Sequence, residues 1–214
     1  MENDAQPTLL ITTSILDSFG WLERCPPSWR ERAYKSLVAT IRREKYTPHK
    51  TAKRGVDFER AVYENAGSGG SKHFREVADK VRGAKFQQVL KKNINVEGRE
   101  VLLYGKVDAL FPTRIVDIKT TENYRGNDKY MGGWQHTLYC YMSGLKEFDY
   151  LVALFEPYPR NTMIAVYEIC YKAGSDEALL EEIQRGIWHF YEWLMVEELF
   201  YDYENIFSNP RRNR

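Results

Sequence analysis

From Val101 to Thr121 the chain reads VLLYGKVDALFPTRIVDIKTT, and no other stretch restricts the fold as much. Branched and aromatic residues fill Val101 to Phe111 and again Arg114 to Lys119, with the turn-like pair Pro112-Thr113 between them. That pattern predicts two β-strands joined by a tight turn. A two-residue connection sets Phe111 opposite Arg114, Asp108 opposite Asp117 and Lys106 opposite Lys119. Strand side chains alternate faces. Lys106, Asp108, Ile115, Asp117, Lys119 and Thr121 are therefore expected on one face. Val107, Ala109, Phe111, Val116 and Ile118 are expected on the other, an apolar face that suits a core.

Directly opposed carboxylates lie roughly 5 Å apart and destabilise the strand pair. One lysine, two residues beyond Asp117, does not neutralise both. A magnesium or manganese ion would, because hard cations take oxygen ligands. Two acids, a cation and a lysine on one strand face suit cleavage of a phosphodiester. The metal polarises the phosphate and lowers the pKa of a bound water. The lysine orients or deprotonates that water, or offsets phosphate charge. A solvated sheet face with ordinary ion pairs is the plainer reading of the same residues, and segments elsewhere must discriminate.

The 214 residues fit one domain. Lys and Arg number 31 against 30 Asp and Glu, so bulk charge announces no nucleic-acid binder. Its distribution is more informative. Arg24 to Arg54 carries ten basic residues opposed only by Glu31 and Glu44, whereas Asp176 to Glu204 is dominated by acids. Such a split fits a polyanion-facing side and a solvated back, or two helical regions with charged outer faces. Cys25, Cys140 and Cys170 fit neither a disulfide framework nor a four-cysteine metal site. The acidic start MENDAQPTLL has no basic signal-peptide region, and no apolar run approaches membrane-spanning length. A reducing cytoplasm is the expected compartment.

Around the hairpin the periodicity predicts mostly helices. Ser14 is expected to cap the first, with Asp17 three residues on returning the bond and Cys25-Pro26-Pro27 ending it. A basic helix follows from Ser28 to about Lys45. Arg54 to Ala66 reads as a helix whose apolar arc of Phe58, Ala61, Val62, Tyr63 and Ala66 also contains Glu59. A carboxylate on such an arc is costly unless paired or metal-bound, so Glu59 is a candidate third acid; an edge glutamate reaching solvent is the alternative. Beyond the Gly67–Ser71 loop, Phe74 to Lys92 reads as a helix weakened at Gly83, with a short strand over 93–97. The polar connection from Thr120 to Gly133, with Tyr124 and Arg125, is expected either to contact substrate or to be a plain connector. In the next helix, Trp134 to Leu145, Gln135 and Tyr139 lie four apart on one face. Strands over 149–155 and 163–171, a closing helix from Ala178 to Phe200 and a basic tail over 208–214 complete the chain.

Four elements in this order carry a family likeness: Gly55 to Glu59, Gly105-Lys106-Val107-Asp108, Asp117-Ile118-Lys119-Thr120 and Gln135-His136-Thr137-Leu138-Tyr139. The chain resembles the PD-(D/E)XK nuclease superfamily, in its RecB-like and lambda-type exonuclease branch, over most of Thr12 to Tyr171. Ser14 and Cys25-Pro26 look like that branch's opening segment. The resemblance implies an α/β fold: a restriction-endonuclease-like mixed sheet with a central hairpin, flanked by helices, plus a helical N-terminal segment. It divides residues 1–207 into a basic helical segment, 1–53, and a catalytic core, 54–207. It implies Asp108, Asp117 and the Ile118 carbonyl as ligands of Mg²⁺ or Mn²⁺, with Glu59 joining them, and Lys119 as the catalytic lysine. It casts Gln135 and Tyr139 as substrate contacts; Tyr124, Arg125 and Ser14 are further candidates. RecB-like members often carry histidine where Glu59 stands, and the glutamate is closer to the lambda-type pattern. With three cysteines at unsuitable places, no iron–sulfur cluster is expected.

The function that follows from the resemblance is metal-dependent hydrolysis of single- or double-stranded DNA, with an exonuclease of recombination or repair, phage-like, favoured. A structure-specific endonuclease and a non-catalytic nucleic-acid-binding protein on the same fold are the alternatives. A strand-annealing or helicase partner and an oligomer are compatible with it; a membrane is not expected.

Overall fold

The computed structural model describes residues 9–44, 50–64 and 72–208. The Thr47-Pro48 break, the Gly67–Ser71 loop, Ala66 and the tail beyond Ser208 lie outside the described residues. In chain order the elements are β1 (Leu9–Thr12), α1 (Thr13–Arg24), α2 (Pro27–Ile41), α3 (Lys50–Glu64), α4 (Lys72–Lys80), β2 (Lys85–Val96), β3 (Arg99–Leu110) and β4 (Arg114–Thr121). Then follow α5 (Asp128–Met131), α6 (Gln135–Ser143), β5 (Glu147–Phe155), β6 (Met163–Lys172), α7 (Asp176–Val196) and α8 (Phe200–Phe207). The six strands form one mixed sheet with helices on both faces. Among the described residues no helix is long and apolar enough to cross a membrane.

The hairpin register expected from the two-residue turn is the one found. Ala109 opposes Val116, Leu110 opposes Ile115, and the Phe111 amide donates to the Arg114 carbonyl at 2.9 Å. The ladder between β3 and β4 then stops. Along one edge β3 pairs with β2 over nearly its whole length. Along the other it pairs with β1, in parallel, over Val101–Tyr104, and with β4 only at its last two residues. Two strands thus share one edge of β3, and the sheet forks over residues 105–108.

Alternation along β5 shows how the faces divide. Phe148, Tyr150 and Val152 enter a larger core with α1, α2, α6, α7 and α8. Leu151, Ala153 and Phe155 enter a smaller one with Phe58 and Val62 of α3 and Val77 of α4. On β4, Ile115 belongs to the first core, and Val116 and Ile118 to the second. Val107 departs from the expected grouping: it packs in the first core, whereas Ala109 packs in the second. The break comes at Asp108. Its neighbour on β2, Gln87, has φ 55°, and the β2–β3 ladder runs on both sides of this pair but not through it. A side chain in the left-handed region is uncommon, and this local irregularity redirects the faces.

Three other expectations are corrected. Residues 85–92 form β2, not the end of a helix. Gly83, at φ 83°, closes α4, and Val89, assigned to the helical stripe, is 48% exposed. Pairing with β3 outweighs the local helical pattern there. The α1 cap is Thr12, whose hydroxyl accepts from the Ile15 amide at 3.2 Å, so Ser14 is an exposed first-turn residue rather than the cap. The closing helix ends at Val196; Glu198, at φ 57°, turns the chain into α8. Tyr203 of α8 then donates to the Leu10 carbonyl of β1, joining the last helix to the first strand.

His136 of α6 is 4% exposed, packs between Phe148 and Tyr171, and has Nδ1 3.1 Å from the Tyr150 hydroxyl. Burial lowers its pKa from 6.5 to about 4. The folded state therefore keeps His136 neutral while the unfolded chain binds a proton between these values. Stability from this residue is lost as pH falls from about 6.5 to about 4. Urea unfolding of wild type and His136→Gln across that range should show the wild type losing up to about 3 kcal/mol more than the variant.

Candidate functional site

The fork in the sheet is where the predicted acids meet. Unpaired strand groups must find partners, and over residues 105–108 side chains supply them. Asp108 turns its carboxylate toward β4, where Oδ2 accepts from the Ile118 amide at 2.9 Å. Tyr139 of α6 donates its hydroxyl to the Lys106 carbonyl at 3.0 Å, and the same oxygen lies 3.1 Å from Thr13 Oγ1. The amide and carbonyl of one strand residue point to the same edge. The Ile118 carbonyl accordingly faces the fork beside Asp108, while its side chain is buried in the second core.

Asp117 opens toward the first core, and its side chain is only 5% exposed. Its Oδ2 lies 2.7 Å from Lys119 Nζ. The contact is a close ion pair, and Lys119 is the one charged partner that Oδ2 has among the described residues. Burial pushes the Asp117 carboxyl up from the usual carboxylate range; Lys119 opposes that, and Asp108 adds to it. Lys119 is shifted upward as well: desolvation works against its charge, but Asp117 and Asp108 together outweigh it. Lys119 remains 32% exposed and so can meet a ligand from solvent.

Glu59 arrives from α3, on the opposite face, and is half-buried. Burial and then Asp108 raise its pKa to about 7, with Lys119, Asp117 and Lys106 also acting on it. The open fork lets an acid from each side of the sheet bear on the same point. The sequence did not single out Gln87, and it read Asp17 only as a helix-capping residue. Gln87 donates to Asp108 Oδ1 at 3.2 Å and to the Tyr63 hydroxyl at 2.7 Å. Asp17 accepts from the Trp134 amide at 2.7 Å, and its charge acts on both Asp117 and Lys119. A positive-φ glutamine inside a strand has no sequence signature, so only the structure reveals it.

The remaining candidates separate. Gln135 lines a cavity of about 250 Å³ together with Asp17, Lys119 and Lys129. Tyr139, 3% exposed with its hydroxyl engaged by the protein, braces the fork from behind instead of facing that cavity. Tyr124 stacks on Tyr167, with ring centroids 3.9 Å apart. Arg125 lines a neighbouring cavity of about 650 Å³. Ser14 is exposed on α1 and lines neither.

Whether these residues suit a divalent cation can be judged from their donors. Asp108, Asp117, Glu59 and the Ile118 carbonyl offer oxygen only, which matches Mg²⁺ or Mn²⁺. The buried Asp117 Oδ2 without a hydrogen-bond donor and the mutual repulsion of the three acids are the features a cation would relieve. They fit, although Asp108 is held by the Ile118 amide and the three carboxylates are not gathered tightly. Among the described residues, the metal-capable trio whose ligand atoms converge within 4.8 Å is Asp149, Glu168 and Cys170. That trio is already neutralised. Arg114 lies 2.8 Å from Asp149, and Lys80 lies 2.5 Å from Glu168.

No family model matches the chain, and no curated protein does. Among solved structures, SSO0001 superposes with a TM-score of 0.50 at 15% identity, covering 87% of this chain and 77% of that one. A phage-related exonuclease from Haemophilus somnus 129PT gives 0.49 at 12% identity, over 86% and 95%. The likeness to SSO0001 is one of fold.

Two measurements probe this geometry. A Cβ on Gly105 would come 2.4 Å from the Tyr139 ring and 2.8 Å from Thr13. Gly105→Ala should therefore cost about 1–3 kcal/mol in chemical denaturation, as overpacked sites do. Glu59→Gln removes one of three mutually repelling acids and should raise the melting temperature of the metal-free protein at pH 8. The gain should shrink toward pH 5, where a carboxyl with a pKa near 7 is already protonated.

Proposed function

We propose that this protein is a metal-dependent deoxyribonuclease, with exonuclease action favoured. One observation carries the reading: a buried aspartate, Asp117, pairs with Lys119 at the point where the sheet forks and Asp108 and Glu59 bear on it. A fold without chemistry at this point has no physical reason to keep three acids in repulsion, since burying unneutralised charge is costly.

Asp108, Asp117, the Ile118 carbonyl and Glu59 would hold Mg²⁺ or Mn²⁺. Bound there, the metal would polarise a phosphate and lower the pKa of a water. Asp108 is kept in place by Ile118 and Gln87, so its carboxylate is oriented before any ligand arrives. Lys119, exposed on one side, presents positive charge to a scissile phosphate and offsets the charge that builds up in the transition state. Gln135 and Lys129, at the rim of the same cavity, contact the flanking strand. Asp17 and Tyr139 are positioning residues: the first holds the start of α6 through Trp134, the second holds β3 through Lys106. The expected products are 5′-phosphate and 3′-hydroxyl ends, and a role in DNA recombination or repair in the cytoplasm agrees with such an activity.

Incubation of linear and circular DNA with Mg²⁺ tests the proposal directly. Linear DNA should be degraded while the circle survives; cleavage of the circle would point to an endonuclease instead. Asp117→Ala and Lys119→Ala should each lower the rate by about 10²-fold or more. Undiminished cleavage by both variants would overturn the assignment of the site.

A further inference from the structure

Beside the acidic centre lies a second, larger cavity of about 650 Å³. The two cavities share Trp21, Thr120 and Lys129 in their walls, so they adjoin one another beside Lys119. The larger part carries a different chemistry. Trp21 of α1 is half-buried; Trp29 of α2 is 51% exposed, with the Arg32 guanidinium over one face of its ring at 5.8 Å from the centroid and the other face left for a base. Arg125 and Lys129 supply cations, while Arg54 and Glu122 in the lining are paired with each other. Glu122 is already engaged, with Oε1 2.8 Å from Arg54 Nη2 and 3.0 Å from the Tyr158 amide. Arg54 itself is 8% exposed and leaves Nε without a partner.

We propose that this groove seats unpaired nucleotides of a DNA strand, with bases stacked on Trp29 and Trp21 and backbone phosphates met by Arg125 and Lys129. The inference rests on the nuclease reading for the identity of the strand, but its physical basis is separate. Exposed indoles beside cations are the combination that binds single strands without reading sequence, because every base has a π-face. Charge favours the same occupant. Burial and the nearby Lys119 lower the pKa of Lys129, and an anion entering the groove would relieve that tension. The position matters too. A strand seated here and reaching Lys119 through the adjoining cavity would leave the nucleotides next to the scissile phosphate unpaired. Substrates with a single-stranded end are therefore engaged more tightly than blunt duplex ends.

Fluorescence anisotropy of the full protein, with Ca²⁺ in place of Mg²⁺, tests this. The probes are a labelled twelve-nucleotide thymidine strand, an abasic strand of equal length and a twelve-base-pair duplex. Wild type should bind the thymidine strand on the order of tenfold tighter than the abasic one. Trp29→Ala should remove that difference, and Trp29→Phe should keep most of it. Equal binding of the thymidine and abasic strands, tighter binding of the duplex, or an unchanged difference in Trp29→Ala would each overturn the proposal. Failure of the nuclease reading is seen separately, as absence of Mg²⁺-dependent hydrolysis of thymidine 5′-(p-nitrophenyl phosphate), an ester too small to need the groove.

Discussion

Everything at the candidate site follows from two strands competing for one edge of β3. The short β1 takes the Val101–Tyr104 part in parallel, and β4 takes the far end in antiparallel fashion. Backbone groups between them cannot be left unpaired in a buried sheet. Asp108 and Tyr139 complete the bonding there, one to an amide and the other to a carbonyl. A carboxylate that serves as a ladder partner is held in place by the fold itself. Its second oxygen remains available, steadied by Gln87.

That arrangement sets electrostatics against stability. Desolvation dominates the upward shifts of both Asp117 and Glu59, and the acids raise one another. Lys119 offsets part of this but is a single charge among several. The other buried charges among the described residues are paired. Arg114 joins Asp149, and Arg54 joins Glu122, with two further bonds from Arg54 to the Glu156 and Arg160 carbonyls. The contrast distinguishes an ion pair that holds the fold from a cluster that stores unfavourable energy at one point, as functional sites do. Gln87, in a left-handed conformation inside a strand and bonded to Asp108, belongs to the same pattern.

The groove extends the site beyond the strand face. Its walls come from α1, α2, α3 and the connection after β4, segments separated by up to a hundred residues. The basic stretch from Arg24 to Arg54, noticeable in the sequence, contributes less evenly than its composition implies: Arg54 is used to latch α3 onto Glu122, and Arg42 pairs with Asp202. Charge counted along the chain does not say which cations face outward, since only packing assigns partners.

The β3–β4 hairpin and its register at Ala109–Val116 and Leu110–Ile115 were legible in the sequence, because a two-residue turn is local geometry; the expected opposition of Asp108 to Asp117 on one face was not met, since the ladder stops at Ala109 and Asp108 turns to the Ile118 amide. The sequence also placed Glu59 on the inward side of a helix, since a helical wheel needs only neighbours in the chain. The rest depended on packing between segments distant in the chain. Residues 85–92 became a strand because β3 offered an edge, a gain invisible to a helical pattern read locally. Val107 and Ala109 parted to opposite cores, Tyr139 was buried with its hydroxyl on the Lys106 carbonyl, and Asp17 and Trp21 were brought to the fork from a helix a hundred residues away. Those outcomes depend on which distant surfaces bury one another, and burial energy is a property of the assembled layers.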